Sequence, residues 1–316
     1  MRCSTFHIFS RPPGASVEAV LDENLAEIEA AEGLGFDGVW LTEHHGTDYG
    51  LCPSPNVVGA AVAGRTSRVR IGFAANISAL HHPLRLAEEI ALVDQLSGGR
   101  VAAGFGSGYS PAEFGLYGVP FDERHLRHRE TLDIVRLAWK GEPFDYNGED
   151  YRFGQARVAV TPRQRPHPPL AVAAGSAEGY AWAAREGFDL LVLGGVERVR
   201  QAVEAYRAAG GTGRVGAQQL FAVDKAAARE AARLNLRWGN ALRDPGGDPE
   251  PATEVLQDYM DNRVSIGAGA MRRRVEALEG AGADEVLGWF RWGDTGHAAA
   301  LEAMRVFADA VIGGRG

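Results

Sequence analysis

Cysteine is scarce in this chain. Cys3 and Cys52 are the only two in 316 residues, too few for a disulfide framework, so a reducing, cytoplasmic setting is expected. Basic clusters are missing as well. Lys and Arg number 33 against 41 Asp and Glu, for a formal net charge of −8. No Lys/Arg block supplies the footprint of a nucleic-acid binder. Long apolar runs are absent: the longest small-apolar stretch, Val57 to Ala63, is far too short to span a bilayer, so no membrane association is expected. The opening residues, MRCSTFHIFSRPPG, lack the apolar core of a signal peptide. No G-x-S-x-G nucleophile elbow occurs. The nearest approach to a dinucleotide fingerprint, GFGSGY from Gly104, has its third glycine one place early. His44, His45, His81 and His82 are conceivable metal ligands, but adjacent histidines tend to point apart and no spaced carboxylate completes a set. No metal is expected. Cys52 follows the first histidine pair without an identifiable base and reads as a spectator thiol.

What is present is an ordinary soluble composition, 45% hydrophobic and 23% charged, at a length normal for one α/β barrel. The 41 glycines exceed the usual share of ~7%, and many fall where a strand hands over to a loop. Short apolar runs predict strands at Phe6–Phe9, Val39–Leu41, Val69–Ala75, Arg100–Phe105, Leu170–Gly175, Asp189–Gly195, Val215–Val223 and Asp284–Gly293. Helical patterns separate them. Ser16 caps one that carries Val20, Leu21, Leu25, Ile28 and Ala31 at three- and four-residue steps. Pro83 starts another, which Gly98-Gly99 stops. Residues 141 to 169 change character and predict a small β-excursion around Tyr146, Tyr151 and Phe153. DPGGDPEPATE, from Asp244, reads as a mobile surface loop. Eight strand–helix units without a second composition regime predict an α/β fold, a (β/α)8 TIM barrel, as a single domain over residues 1–316 with small insertions.

The chain is organised around GFDGVWLTEHHGTDYGL, residues 35 to 51. A buried strand there breaks into Thr42, Glu43, His44 and His45 at the end where α/β enzymes place their chemistry. A polar loop capping the next helix is the plainer reading, but an acid beside two histidines is a costly way to build one. Barrel geometry would bring to the same mouth Ala74-Ala75-Asn76, the GFGSGY loop, Gly175-Ser176, Gly194-Gly195 and Arg291-Trp292. Gly104, Gly106 and Gly108 would let a flat ligand or phosphate approach the backbone. Ser176 would cap a helix whose amides can hold an anion. Together these suggest a cofactor carrying one phosphate. Phe6 and Trp292, with Trp289, Phe290, Tyr109 and Phe114, are candidates to line an apolar or aromatic substrate pocket, although structural aromatics explain most of them equally well.

GFDGVWLTEHH, then RVRIGFAANISALHHPLRLAEEIALVDQLSGGR, AGSAEGYAWAAREG and the closing DEVLGWFRWGDTGH…ALEAMRVFADAVI closely resemble the bacterial luciferase-like family of flavin monooxygenases, in particular the luciferase α chain. The resemblance covers nearly the whole chain. It implies a (β/α)8 barrel that takes reduced FMN from a separate flavin reductase and uses dioxygen, through a flavin 4a-peroxide, to oxidise a small organic substrate. Under it, His44 matches the catalytic imidazole. Ala74 and Ala75 match a pair beneath the flavin ring, joined by a non-proline cis peptide. Glu43, Gly106, Ser107, Gly108 and Tyr109, and Gly175, Ser176, Ala177 and Gly179, fall at positions that hold flavin and its phosphate. Relatives dimerise through helices matching residues 57–64 and LAEEIALVDQL, so a homodimer is expected. The departures count against light emission from a long-chain aldehyde. Gly106 stands where luciferase has a reactive cysteine, Ser107 where it has a phosphate-binding arginine, and Gly175 where it has a glutamate. Its long loop before the last strand is reduced to residues 244–269. Loss of the thiol leaves space suited to a bulkier substrate. Two other readings stand beside the monooxygenase: a deazaflavin-dependent hydride-transfer oxidoreductase on the same barrel, and a flavin-binding protein without turnover.

Overall fold

The computed structural model describes residues 1–244, 246 and 250–315. Eight parallel strands close on themselves, which leaves no open edge in the barrel wall. In chain order they are β1 (Arg2–His7), β2 (Gly38–Leu41), β3 (Arg70–Phe73), β4 (Val101–Gly106), β5 (Leu170–Ala173), β6 (Asp189–Leu193), β7 (Val215–Ala222) and β8 (Glu285–Trp289). Each pairs with its sequence neighbours, and β1 joins β8 through Arg2↔Glu285 to Thr5↔Gly288. The alternation read from the sequence is therefore a closed (β/α)8 barrel, with helices on the outside.

Side-chain alternation builds two cores. Cys3, Val39, Leu41, Ile71, Phe73, Val101, Ala103 and Phe105 face outward and meet the apolar faces of helices such as α1 (Val17–Gly33) and α3 (Pro83–Leu96). Phe6, Trp40, Ala102, Ala171, Leu191, Leu220, Leu287 and Trp289 face inward and fill the barrel. Large and small residues alternate across the registers Phe6↔Trp40, Trp40↔Gly72 and Gly72↔Ala102. The Trp40 indole lies where a Gly72 side chain would be: a Cβ there would come 2.3 Å from the ring.

Local signals explain most helix ends. Ser16 Oγ accepts the Ala19 N–H at the start of α1, and Ser54 Oγ accepts that of Val57 at α2 (Pro55–Arg65). α3 begins at Pro83 and stops where Gly98 and Gly99 take φ of +72° and +89°. The expected β-excursion is a hairpin, Phe144–Asn147 against Arg152–Ala156.

Two expectations needed revision. The first strand starts at Arg2 and ends at His7, where Phe6–Phe9 was expected. Ser4 and Thr5 hide it by being polar, yet Ser4 Oγ donates inside the barrel to Glu285 Oε1 at 2.5 Å. Phe9 leaves extended geometry altogether, at φ +63°. The reduced loop of residues 244–269 also holds regular structure: a helix, Thr253–Arg263, and a short strand, Val264–Ile266, which pairs with β7 through Leu220↔Val264. Leu256 and Met260, four residues apart, are that helix's buried stripe. The mobile loop expected over 244–254 lies partly outside the described residues. No helix among the described residues is long and apolar enough to cross a membrane.

Candidate active site

β2 ends at Leu41 and releases Thr42, Glu43, His44 and His45, all buried. The chain then folds back. His44 N donates to Cys52 O, and Leu51 N to Phe9 O, so the loop is locked against the end of β1. The two histidines serve different carboxylates. His44 Nδ1 lies 2.9 Å from Glu113 Oε1, which also accepts the His45 backbone N–H at 2.9 Å. A carboxylate only accepts, so Nδ1 carries a proton, and in the neutral imidazole Nε2 is the acceptor. Tyr49 and Tyr109 flank the ring edge-on, with centroids at 4.9 and 5.9 Å.

His45 belongs to a second network. Its Nε2 donates to Glu43 Oε1 at 2.8 Å, and its Nδ1 accepts from the Tyr117 hydroxyl at 2.8 Å. Glu43 further accepts from His81 Nε2 at 2.9 Å and from Ile77 N at 2.8 Å. Burial alone would raise the Glu43 pKa, but the hydrogen bonds from His45 and His81, the charge of His81 and the Ile77 amide outweigh it and hold the carboxyl at about 2. A carboxylate depressed below its unfolded value of ~4.3 stabilises the fold fully above that value and loses the contribution as pH falls towards the folded value. Glu43→Gln should therefore cost about 3 kcal/mol at neutral pH. It should also flatten the fall in stability between about pH 4.5 and 2. Denaturant unfolding across that range reads it, and parallel pH slopes in both proteins would contradict the assignment.

The ends of β3 and β4 make a floor almost without side chains. The Ala74–Ala75 peptide is cis, as the family resemblance implied. Asn76–Ile77 then pairs with Phe105–Gly106. A Cβ added at Gly106 would touch those of Ala75 and Ala173 at 3.4 and 3.9 Å. The Asn76 amide beside this floor is buried with neither its oxygen nor its nitrogen partnered. Next to it lies a cavity of about 290 Å³, bordered by Ser107, His125, Arg129, Gly175, Ser176 and Gly179. Ser176 Oγ accepts the Gly179 N–H at 3.2 Å and caps α6 (Ala177–Arg185), whose start opens into the cavity. His128, on the same wall, is held neutral: burial, then His125 and Arg129, push its pKa to about 3. The positive charge there belongs to Arg129, now paired with Glu178 at 3.4 Å.

Most of the sequence-predicted site residues thus share one mouth. Three aromatic candidates do not open onto it. Trp292 is wholly buried and donates its indole N–H to Phe221 O, Phe290 packs outward on Phe36 and Phe307, and Phe114 lies under the β4 loop with Ile77 and Ala79. Phe6 and Trp289 face inward with centroids 5.8 Å apart. Sequence reading missed Glu113. Its signal was present, since Ser110-Pro111-Ala112-Glu113 has the spacing of a capping box at the start of α4 (Pro111–Tyr117). In place of the reciprocal bond, the Glu113 side chain reaches across to His44. Cys52 is buried, and burial followed by the Glu43 charge raises its pKa, which disfavours the reactive thiolate.

A family model of luciferase-like monooxygenases matches residues 1–310. The chain is 32% identical over 291 residues to uncharacterized protein y4wF of Sinorhizobium fredii, a match covering 86% of this chain and 85% of that protein. It is 29% identical to the oxygenase component of the flavin-dependent trigonelline monooxygenase of Acinetobacter baylyi, over 61% of this chain and 54% of that protein, about half its length. Among solved structures, monooxygenase RslO1 from Streptomyces bottropensis superimposes with a TM-score of 0.83 at 25% identity, covering 100% of both chains.

Proposed function

From the premise that this chain belongs to the luciferase-like monooxygenase family, we propose that it takes reduced FMN from a separate flavin reductase and uses dioxygen to oxidise a small organic substrate. One observation carries the reading: an imidazole fixed by a buried carboxylate stands at a strand end beside a floor without side chains. The residues present fit FMN. Ala74, Ala75, Gly106 and Ala173 leave room for a flat ring, and the unpartnered Asn76 amide offers a donor and an acceptor to its edge. Ser107, Ser176, Arg129 and the α6 amides suit one phosphate. Arg129 takes the place of the arginine missing at Ser107. When bound, reduced FMN supplies the electrons that activate dioxygen.

The protein's own part is positional and protic. Glu113 fixes the His44 tautomer and leaves Nε2 to hold or move a proton. Tyr49 and Tyr109 shield the imidazole, and a site closed to water protects reactive species from wasteful hydrolysis.

Anaerobic titration with reduced FMN, oxidised FMN, FAD and a deazaflavin tests the coenzyme, and oxygen uptake with product mass tests turnover. Reduced FMN is expected to bind best and FAD poorly. A clear preference for the deazaflavin without coupled oxygen uptake overturns the proposal. Arg129→Met is expected to weaken FMN binding by about 10-fold and leave riboflavin, which has no phosphate, unchanged. Equal losses for both ligands would remove Arg129 from the phosphate site.

A further inference from the structure

On the inner face of β7 and β8 and beside it, three buried N–H donors lack acceptors. The first is on Gln218, one layer below Leu220 on the inner face of β7. Its Oε1 accepts from Arg263 Nη2 at 2.6 Å. Arginine offers no acceptor, so this bond fixes which end of the amide is oxygen and leaves Nε2 as a donor. That Nε2 is buried and unpartnered. The second is Arg263 Nε, also buried and unpartnered. The third is the indole N–H of Trp289, which sits in register with Leu220 on the neighbouring strand and likewise has no partner. A buried donor left without a partner is costly, and three on two neighbouring strands and the segment paired to them ask for an acceptor.

Charge points the same way. Arg263 has no carboxylate partner among the described residues: its contacts are the neutral Gln218 and the Tyr259 ring, 5.7 Å from its guanidinium carbon. A desolvated cation of this kind needs a counter-ion. The segment that carries Arg263 is tied down, and the side chain itself is held by its bond to Gln218. Arg274 donates to Asn262 O at 2.7 Å and to Ser265 Oγ at 3.1 Å, on either side of it, and Val264 is paired to β7. The surroundings are aromatic. Trp289 meets Phe6 at 5.8 Å and Tyr49 at 6.3 Å, both edge-on, and Tyr49 in turn contacts the His44 ring at 4.9 Å.

We infer that Arg263, Gln218 and Trp289 form the substrate's anchor, and that the substrate is an aromatic molecule carrying an ionised oxygen, a carboxylate or phenolate. This rests on the monooxygenase reading, since it places the anion one ring away from His44. The donors fix the charged end, the aromatic wall takes the flat body, and the position to be oxidised is turned towards the imidazole.

Binding is measured calorimetrically, with and without FMN, using 1-naphthoate, 2-naphtholate and the methyl ester of 1-naphthoic acid as probes, on the parent protein, Arg263→Gln and Arg263→Lys. The parent is expected to bind at least one of the two anions and to bind the ester at least 30-fold more weakly. Arg263→Gln should lose that discrimination, Arg263→Lys should restore part of it, and FMN affinity should not move. A merely structural role for Arg263 would not change the ratio of acid to ester. Equal binding of acid and ester, no binding of either anion, or discrimination unchanged in Arg263→Gln overturns the inference. Loss of FMN affinity with naphthoate binding intact overturns it too, and assigns the guanidinium to the coenzyme. Because binding is read without oxygen, a failure of turnover is seen separately in oxygen uptake.

Discussion

His44→Ala is expected to lower coupled turnover by about 100-fold or more while reduced FMN binds nearly as tightly as before. The imidazole touches neither the alanine floor nor the phosphate cavity in any recorded bond. Among the described residues, its ring's only hydrogen-bond partner is Glu113, and its ring neighbours are Tyr49 and Tyr109. On the proposed reading, removing it would take away a proton carrier oriented by that carboxylate and leave the residues proposed to hold the coenzyme in place. Glu113→Gln should produce a smaller loss, because the amide oxygen can still accept the His45 N–H but no longer stabilises an imidazolium. His45→Ala should act mainly on stability, since its ring bridges Glu43 and Tyr117. Stopped-flow oxygen uptake and product yield, with melting temperatures as the control, separate the three. Full coupled turnover in His44→Ala would mean that the proton comes from solvent or substrate.

Gly104→Ala is expected to destabilise the barrel by about 3 kcal/mol or more, and to prevent folding if the margin is thin. Its Cβ would stand 1.8 Å from the Phe73 carbonyl oxygen. That atom belongs to backbone and cannot rotate aside as a side chain would. β3 and β4 are paired just below this point, at Gly72↔Ala102, so any separation there also shifts Gly106 and the floor it forms. Gly64→Ala is the control. It lies in α2 with nothing within 4 Å of the added methyl, and should raise stability by about 0.5–1 kcal/mol. Urea unfolding of the two variants compares them directly, and near-equal midpoints would refute the close approach.

The legible parts of this chain were those in which polarity tracks position. Val39-Trp40-Leu41 and Val215–Val223 read as strands because both faces of a barrel wall are dry, and Ser16, Pro83 and Gly98-Gly99 mark helix ends by local chemistry that no distant contact has to supply. The strand at Arg2–His7 was obscured because Ser4 and Thr5 find polar partners inside the fold, which a sequence cannot display. His44 was visible as a residue, but its partner was not, since Glu113 lies 69 positions away and meets it only once the barrel closes. Arg263 and Gln218 were invisible for the same reason, being 45 positions apart and joined by a short strand that looked like loop.

The filled barrel interior has a consequence for traffic. Trp40 occupies the level where Gly72 makes room, Leu191 and Leu287 share the inner core, and the space at the amino-terminal end beside Arg2, Arg70 and Arg214 is only about 30 Å³. That is room for little more than water. That end of the barrel is packed, so on the proposed reading coenzyme, substrate and product would use the opening at the carboxyl ends of the strands. Two ligands that share one doorway queue, so whichever lies deeper is the first to arrive and the last to depart.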